Sequence, residues 1–313
     1  MRDWPRLVLL LAVLLPAVVG ESAAAQSGPD PVRLVVVLLG GLGTAPDVNT
    51  AVSVEDYSYR YPDLTYGRCD TSQPIADSAR RLDHQVRDLA ERHPAARFLL
   101  VGHSLGGVVA SRWAADAAPD LLAKTAAVVT LDSPLQGMAD VPAEMRDLVA
   151  GWVTAQLCSD RRVLDELSAG RADGPLAGLG HAVEALAAAG GRLYTGASRG
   201  DIAISWRSAT LPGAEVHYFD SGICADWASL AAAAPGLSPD AATTDWARVR
   251  AQLAALPPQA QRALLDRLAA CLDVSHGNVL RDPAAVGWLA DVAQAALAAA
   301  AAPTPTATPT PAP

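Results

Sequence analysis

The sequence predicts an α/β fold, a mostly parallel central sheet flanked by helices, and three observations carry that expectation. Short apolar runs alternate with amphipathic patterns from Val32 onward, as happens when crossover helices join parallel strands. The first run, "VRLVVVLLG" (Val32 to Gly40), is apolar but for Arg33 and holds four valines, which suits a strand covered on both faces. The run "RFLLV" stops at Gly102, presents one serine, and resumes at once as the apolar segment "LGGVVASRW", the joint of a strand feeding a helix.

The elements then follow in order. "DSARRLDHQVRDLAERHP" sets Ala79, Leu82, Val86, Leu89 and Ala90 on one face with charges opposite, and Pro94 ends it, so it reads as an amphipathic helix. "RFLLVGH" is the next strand, and a helical stretch runs from Ser104 through Ala118. "TAAVVTLDS" (Thr125 to Ser133), "RLYTGAS" (Arg192 to Ser198) and "AEVHYFDSG" (Ala214 to Gly222) are the later strands, and the Ala- and Leu-rich helices come last. No repeat at a fixed period is evident, which disfavours a solenoid.

With 313 residues, 51% hydrophobic and 18% charged, the chain can bury a sizeable core as one domain with an insertion. That domain is expected over residues 26–302, with the insertion at 134–191. The insertion is far longer than a usual connection, and Met145, Leu148, Val149, Trp152, Val153 and Leu157 form an apolar stripe in it. The stripe either packs on the sheet or caps a site. Two flanking segments stand apart from the domain. Arg2 and Arg6 precede the apolar "LVLLLAVLLPAVV", and Ala23-x-Ala25 follows, so residues 1–25 read as a secretory signal peptide. A membrane anchor is the alternative, for which thirteen apolar residues broken by Pro16 are short against the roughly 20 needed. Residues 303–313, "PTPTATPTPAP", read as a Pro/Thr-rich disordered tail.

Net charge is −9, and removal of residues 1–25 takes away two bases and two acids, so it does not change. A nucleic-acid partner is therefore disfavoured. Cys69, Cys158, Cys224 and Cys271 make an even count in an exported chain, which suggests two disulfides. Cys224 with Cys271 and Cys69 with Cys158 is the expected pairing. No CxxC pair is present, which argues against a zinc site.

The chemistry centres on Gly102-His103-Ser104-Leu105-Gly106. The pattern G-x-S-x-G, after a strand and opening a helix, places a serine on a sharp strained turn. Glycines two before and two after are required because side chains there would strike the neighbouring strand or helix. The helix N-terminus adds positive potential where an oxyanion forms. A serine hydroxyl needs a base. Of six histidines, His103 reads as structural, His84 and His93 as solvated, His181 as part of the insertion and His217 as part of the last strand. His276 remains, expected on a short loop after the final strand and before the final helix, beyond the sheet edge where ligands bind. Asp201, in a Gly-rich turn after a strand, and Asp132, ending the strand before it, compete as the acid that orients the histidine. Position after the later strand favours Asp201, and Asp220 is third. Backbone amides of Leu105 and of Leu42, in "LLGGLGTA", are the candidate oxyanion hole. In that loop Gly41-Leu42-Gly43 is followed by Pro46 rather than a third glycine, which makes a dinucleotide-binding reading poor.

"VVVLLGGLG", "FLLVGHSLGGVVA", "TLDSPLQG", "GDIAI" and "SHGNVLRDP" occur in that order over roughly Val32 to Ala300, and on these segments the chain resembles the α/β-hydrolases of the lipase and esterase type. The "TLDSPLQG" segment is similar to that of the lipase-like branch related to inositol deacylases. The resemblance implies an α/β-hydrolase fold with an eight-stranded, mostly parallel sheet, to which the insertion at 134–191 would add a helical cap. It also implies a triad of Ser104, Asp201 and His276 with amides of Leu42 and Leu105, and no cofactor or metal. Many relatives have His-Gly where this chain has Gly40-Gly41. The function expected is a secreted serine hydrolase cleaving carboxylic esters through an acyl-enzyme, exported and in the alternative retained at the cell surface. Its substrate would be a small-molecule or lipid ester, with transient contact at a membrane or lipid interface. An acyltransferase using the same triad, and a non-catalytic binding protein on the same fold, are the alternatives. Two phenylalanines among many Ala and Leu suggest an aliphatic pocket.

Overall fold

The computed structural model describes residues 33–42, 59–61, 73–138, 162–169, 174–240 and 243–301. Residues 1–25, expected to be a signal peptide, the Met145 to Leu157 stripe, Cys69, Cys158 and residues 303–313 lie outside them. Among the described residues six strands form one sheet in the order β2-β1-β3-β4-β5-β6, every neighbouring pair parallel. They are β1 (Leu34–Leu39), β2 (Tyr59–Tyr61), β3 (Arg97–His103), β4 (Thr125–Leu131), β5 (Arg192–Ser198) and β6 (Glu215–Phe219).

Alternation along the strands decides which helix covers which face. On one face Val35, Val37, Leu39, Phe98, Leu100 and Val128 join α1 (Ile75–Arg92) and α2 (Leu105–Asp116) in the main core. On the other, Leu34, Leu99, Ala127 and Val129 pack against Trp288, Val292 and Ala296 of the last helix, Pro283–Ala301. Both faces of β1, β3 and β4 are thus dry, which is why their sequences are apolar runs rather than alternating ones. β6 ends the sheet among the described residues, and Glu215 to Tyr218 are exposed there.

α1 ends at its predicted place, His93 capping it just before Pro94. Trp113 of α2 is buried, and its indole Nε1–H donates to Asp83 Oδ1 of α1 (3.2 Å), so the largest core side chain also satisfies its polar atom. A short helix, α3 (Pro119–Lys124), turns the chain into β4. The described part of the 134–191 segment forms α4 (Arg162–Ser168), a 3₁₀ turn and α5 (Gly180–Ala188). Its Val163, Leu167, Leu176, Leu179 and Leu186 lie in the main core, and α5 packs on α2.

After β6 come α6 (Trp227–Ala233), α7 (Trp246–Ala255) and α8 (Pro258–Gly277), then a 3₁₀ turn and α9 (Pro283–Ala301). Asp245 caps α7 by accepting from Arg248 N (3.1 Å). Cys224, in the loop after β6, is disulfide-bonded to Cys271 of α8, and Arg267 of α8 donates to Asp226 Oδ2 (2.8 Å) and Ser229 Oγ (2.7 Å). These links staple α8 to the loop that leaves the sheet.

Candidate active site

Ser104 caps α2 with φ 54° and ψ −126°, a left-handed conformation that costs a non-glycine residue about 1–3 kcal/mol unless its surroundings impose it. Its amide donates to Leu131 O of β4 (2.9 Å) and its carbonyl accepts from Gly107 N (3.1 Å), so the turn is fixed at both ends. The glycines around it have no room for a side chain. A Cβ at Gly102 would lie 2.4 Å from backbone atoms of Gly106 and Gly107, and one at Gly106 would lie 2.3 Å from Leu39 O. Gly107, outside the five-residue motif, is as tightly held, since its Cβ would meet Ser133 Oγ at 2.0 Å.

The glycine loop after β1 abuts the serine. A Cβ on Gly41 would come 2.8 Å from Ser104 Cβ and 3.3 Å from its Oγ. Leu42 follows at once, and Leu105 is the first, buried residue of α2, so both candidate amide donors belong to backbone bordering the nucleophile.

Asp201 stands in the turn after β5. Its Oδ1 accepts from the amides of Ala203 (2.8 Å) and Ile204 (3.1 Å), which fixes the carboxylate, and its Oδ2 accepts from His276 Nδ1–H (2.7 Å). That bond leaves His276 Nε2 as the proton acceptor. Here the structure corrects one expectation about placement. His276 is not on a short loop after the final strand: α6, α7 and α8 intervene, and His276 sits in the last turn of α8. The residues before it carry no proline or glycine, so the helix runs on to Gly277 and delivers the imidazole from its C-terminal end.

His103, the residue before the nucleophile, supports that delivery. Its Nε2–H donates to the His276 carbonyl (3.0 Å), and the two rings lie 4.6 Å apart. Burial and the nearby His276 charge push the His103 imidazole down to about 3, so it stays neutral. For His276 burial also disfavours the charged ring. The Asp201 carboxylate, by charge and hydrogen bond, with Asp132 and Asp273 behind it, outweighs burial and holds the imidazole above its usual range. Among the described residues Ser104 Oγ makes no hydrogen bond to the His276 ring.

The competing acid, Asp132, is also at this edge but is not bonded to His276. Its Oδ1 accepts from Ser198 N (2.6 Å), and its Oδ2 has no hydrogen-bond partner. Asp220, third in the sequence reading, is exposed and lies 3.6 Å from Arg199. The remaining histidines lie away from the pair: His84, His181 and His217 are exposed and His93 half-buried.

Two features escaped the sequence reading. Ser198 Oγ donates to Ser221 Oγ (3.2 Å), which donates to Asp282 Oδ2 (2.8 Å), linking the ends of β5 and β6 to the start of α9. No local pattern marks such a network. A narrow cleft of about 10 Å³, room for about one water molecule, is lined by Ile202, Trp227, Leu237, Trp246, Leu268 and Leu272, with Ser238 and Thr244. It lies between the residue after Asp201 and the helix that carries His276.

A parallel sheet with the serine elbow after β3 and an acid–histidine pair at the same edge is an α/β-hydrolase-like arrangement, and part of the chain is similar to a lipase family. More particularly, a family model described as lipase (class 3) matches residues 43–158, well under half of the chain. The match takes in Ser104 and Asp132 and stops short of Asp201 and His276. Solved structures similar to this chain include a mature lipase from Bacillus licheniformis, 16% identical, covering 64% of this chain and 87% of that one with a TM-score of 0.42. A metagenomic carboxyl esterase is 19% identical over 66% of this chain and 68% of its own, with a TM-score of 0.40. A monoacylglycerol lipase from Paleococcus ferrophilus is 16% identical over 59% and 83%, with a TM-score of 0.36. A comparison with curated proteins finds no match.

Proposed function

We propose that the protein is an exported serine hydrolase that cleaves carboxylic esters, with Ser104 as nucleophile, His276 as general base and Asp201 as the acid that orients it. The observation that carries the reading is the 2.7 Å bond from His276 Nδ1–H to the fully buried Asp201 carboxylate, at the sheet edge that also holds the strained Ser104. Asp201 fixes the tautomer in which Nε2 is unprotonated and compensates the imidazolium formed when Nε2 takes the Ser104 proton. Ser104 Oγ attacks the ester carbonyl, the amides of Leu42 and Leu105 receive the oxyanion, and the alcohol leaves with the proton from His276. Water, deprotonated by His276, then releases the acid from the acyl-enzyme. The raised imidazole fits this cycle, because the charged ring is the form stabilised as the transition state is approached.

Export rests on the first 25 residues, and the Cys224–Cys271 disulfide is compatible with it. The test is labelling of the purified mature protein by a fluorophosphonate beside Ser104→Ala, followed by hydrolysis of nitrophenyl esters of increasing acyl length. Labelling that requires Ser104, with turnover, is the expected result. A folded protein that neither labels nor turns over would put the non-catalytic binding reading in its place. An N-terminus at Gln26 in the exported protein would establish cleavage after Ala25.

A further inference from the structure

We propose that Asp132 is a second carboxylate of this site, a positioning residue that acts on the His276 imidazole beside Asp201 and takes over part of its work when Asp201 is removed. The proposal rests on the reading of His276 as the base. Its first support is placement. Asp132 follows β4, between β3, which leads into Ser104, and β5, whose next turn carries Asp201. Its amide donates to Gly196 O of β5 (2.9 Å), while Leu131 O, one residue earlier, accepts from Ser104 N (2.9 Å). The residue therefore knits together the ends of the two strands that position nucleophile and acid.

Its second support is conformation. Among the described residues two non-glycine residues have positive φ, Ser104 at 54° and Asp132 at 44°. Backbone strain of this kind persists where a side chain has to be aimed. The third support is chemistry. Asp132 is 1% exposed. If it served only to tie β4 to β5 through Ser198 N, one oxygen would suffice, and Asn would provide it without charge. The carboxyl group instead buries a second oxygen, Oδ2, that meets no donor, an arrangement that costs free energy. Of its charged neighbours, His276 from α8 attracts a charge on Asp132 and Asp201 from the turn after β5 repels it. Burial and the Asp201 charge push the Asp132 carboxyl up to about 7, against the opposing pull of His276 and Ser198. His276 in turn faces Asp201, Asp132, Asp273 of its own helix and the neutral His103 of β3. Loss of the Asp201 bond would leave Asp132 as the carboxylate still within reach of the ring's field.

The test follows the His276 ring by ¹⁵N-histidine NMR against pH in the wild type, Asp132→Asn, Asp132→Gly, Asp201→Asn and the Asp132→Asn/Asp201→Asn pair, with ester pH–rate profiles alongside. Asn and Gly both accept positive φ, so both single variants remove the charge without backbone strain, Asn keeping an acceptor for Ser198 N and Gly removing it. Each is expected to lower the His276 midpoint by about 0.5–1 pH unit and to move the acid limb of the rate profile down with it. The double variant is expected to be about tenfold or more slower than Asp201→Asn alone. Midpoints unmoved in both Asp132 variants, or a double variant as active as Asp201→Asn, would overturn the proposal. Because the ring titration needs no turnover, it still decides the matter if the protein proves not to hydrolyse esters.

Discussion

Replacing Gly106 by alanine is expected to harm both stability and reactivity, and the structure gives the size. The added Cβ would sit 2.3 Å from Leu39 O and 2.6 Å from Gly40 O, where carbon-to-oxygen contacts are ordinarily about 3.3–3.6 Å. Both obstacles are backbone, so no rotamer change relieves them, and α2 has to retreat by about 1 Å from the end of β1. Overpacking of this kind costs about 1–3 kcal/mol, offset in part by the better helix propensity of alanine. The retreat also pulls Ser104 away from the Gly40 to Leu42 loop, and a misplacement of about 1 Å costs roughly 100-fold in rate. Gly287→Ala is the control, because a Cβ there meets nothing within 4 Å in the interior of α9. It should stabilise by about 1 kcal/mol and leave labelling unchanged. Urea unfolding midpoints at constant m, with the fluorophosphonate labelling rate, measure both quantities. If Gly106→Ala is as stable as the wild type and labels as fast, the close approach of α2 to β1 is not what holds the serine.

Asp201→Asn should lower ester turnover by about 10³–10⁴-fold, far more than Asp132→Asn does. The reverse order would make Asp132 the principal acid. The His276 imidazole is held above its ordinary value, so kcat/KM should fall on acidification with a midpoint above the 6.5 of free imidazole. Stability runs the other way: the His276–Asp201 pair contributes fully below about 6.5 and loses that contribution as pH rises through the raised value. Thermal unfolding across pH 5–9 beside the rate profile would show both slopes, and an acid limb at or below the ordinary imidazole value would refute the account. Cys224→Ser with Cys271→Ser removes a bridge spanning 47 residues, worth about 4 kcal/mol by loop-closure entropy, and frees the helix that carries His276. Urea unfolding and kcat should fall together, and unchanged values for both would show that the staple is idle.

These strands were legible because burial on both faces writes itself as largely apolar runs: Leu34–Leu39, Arg97–His103, Thr125–Leu131 and Arg192–Ser198 all fall within the runs named from sequence, whereas the three-residue Tyr59–Tyr61 strand leaves no such run. The elbow was legible for a steric reason, since Gly102 and Gly106 have no space for a Cβ and that demand leaves a pattern of fixed spacing. The position of His276 was not. "SHGN" reads locally as a loop, and the helix that carries it is held to the rest of the molecule by Cys224, Asp226 and Ser229, contacts some 40 residues distant in the chain. The bond from His103 to the His276 carbonyl and the Ser198 to Asp282 network are likewise products of tertiary packing, with no local pattern to announce them. Asp201 and Asp132 looked alike in sequence because each ends a strand at the same edge, and only side-chain direction separates them.

The order in which the site's parts occur along the chain has a consequence for its birth. The elbow at Ser104 is complete early, but its partner imidazole at His276 is made 172 residues later, which at about 5–20 residues per second is roughly 10–35 s of synthesis. Throughout that interval the nascent chain carries Ser104 without the histidine proposed as its base. On the proposed triad Ser104 is therefore without its base while those residues are made, and it gains one only when the chain has been built as far as His276.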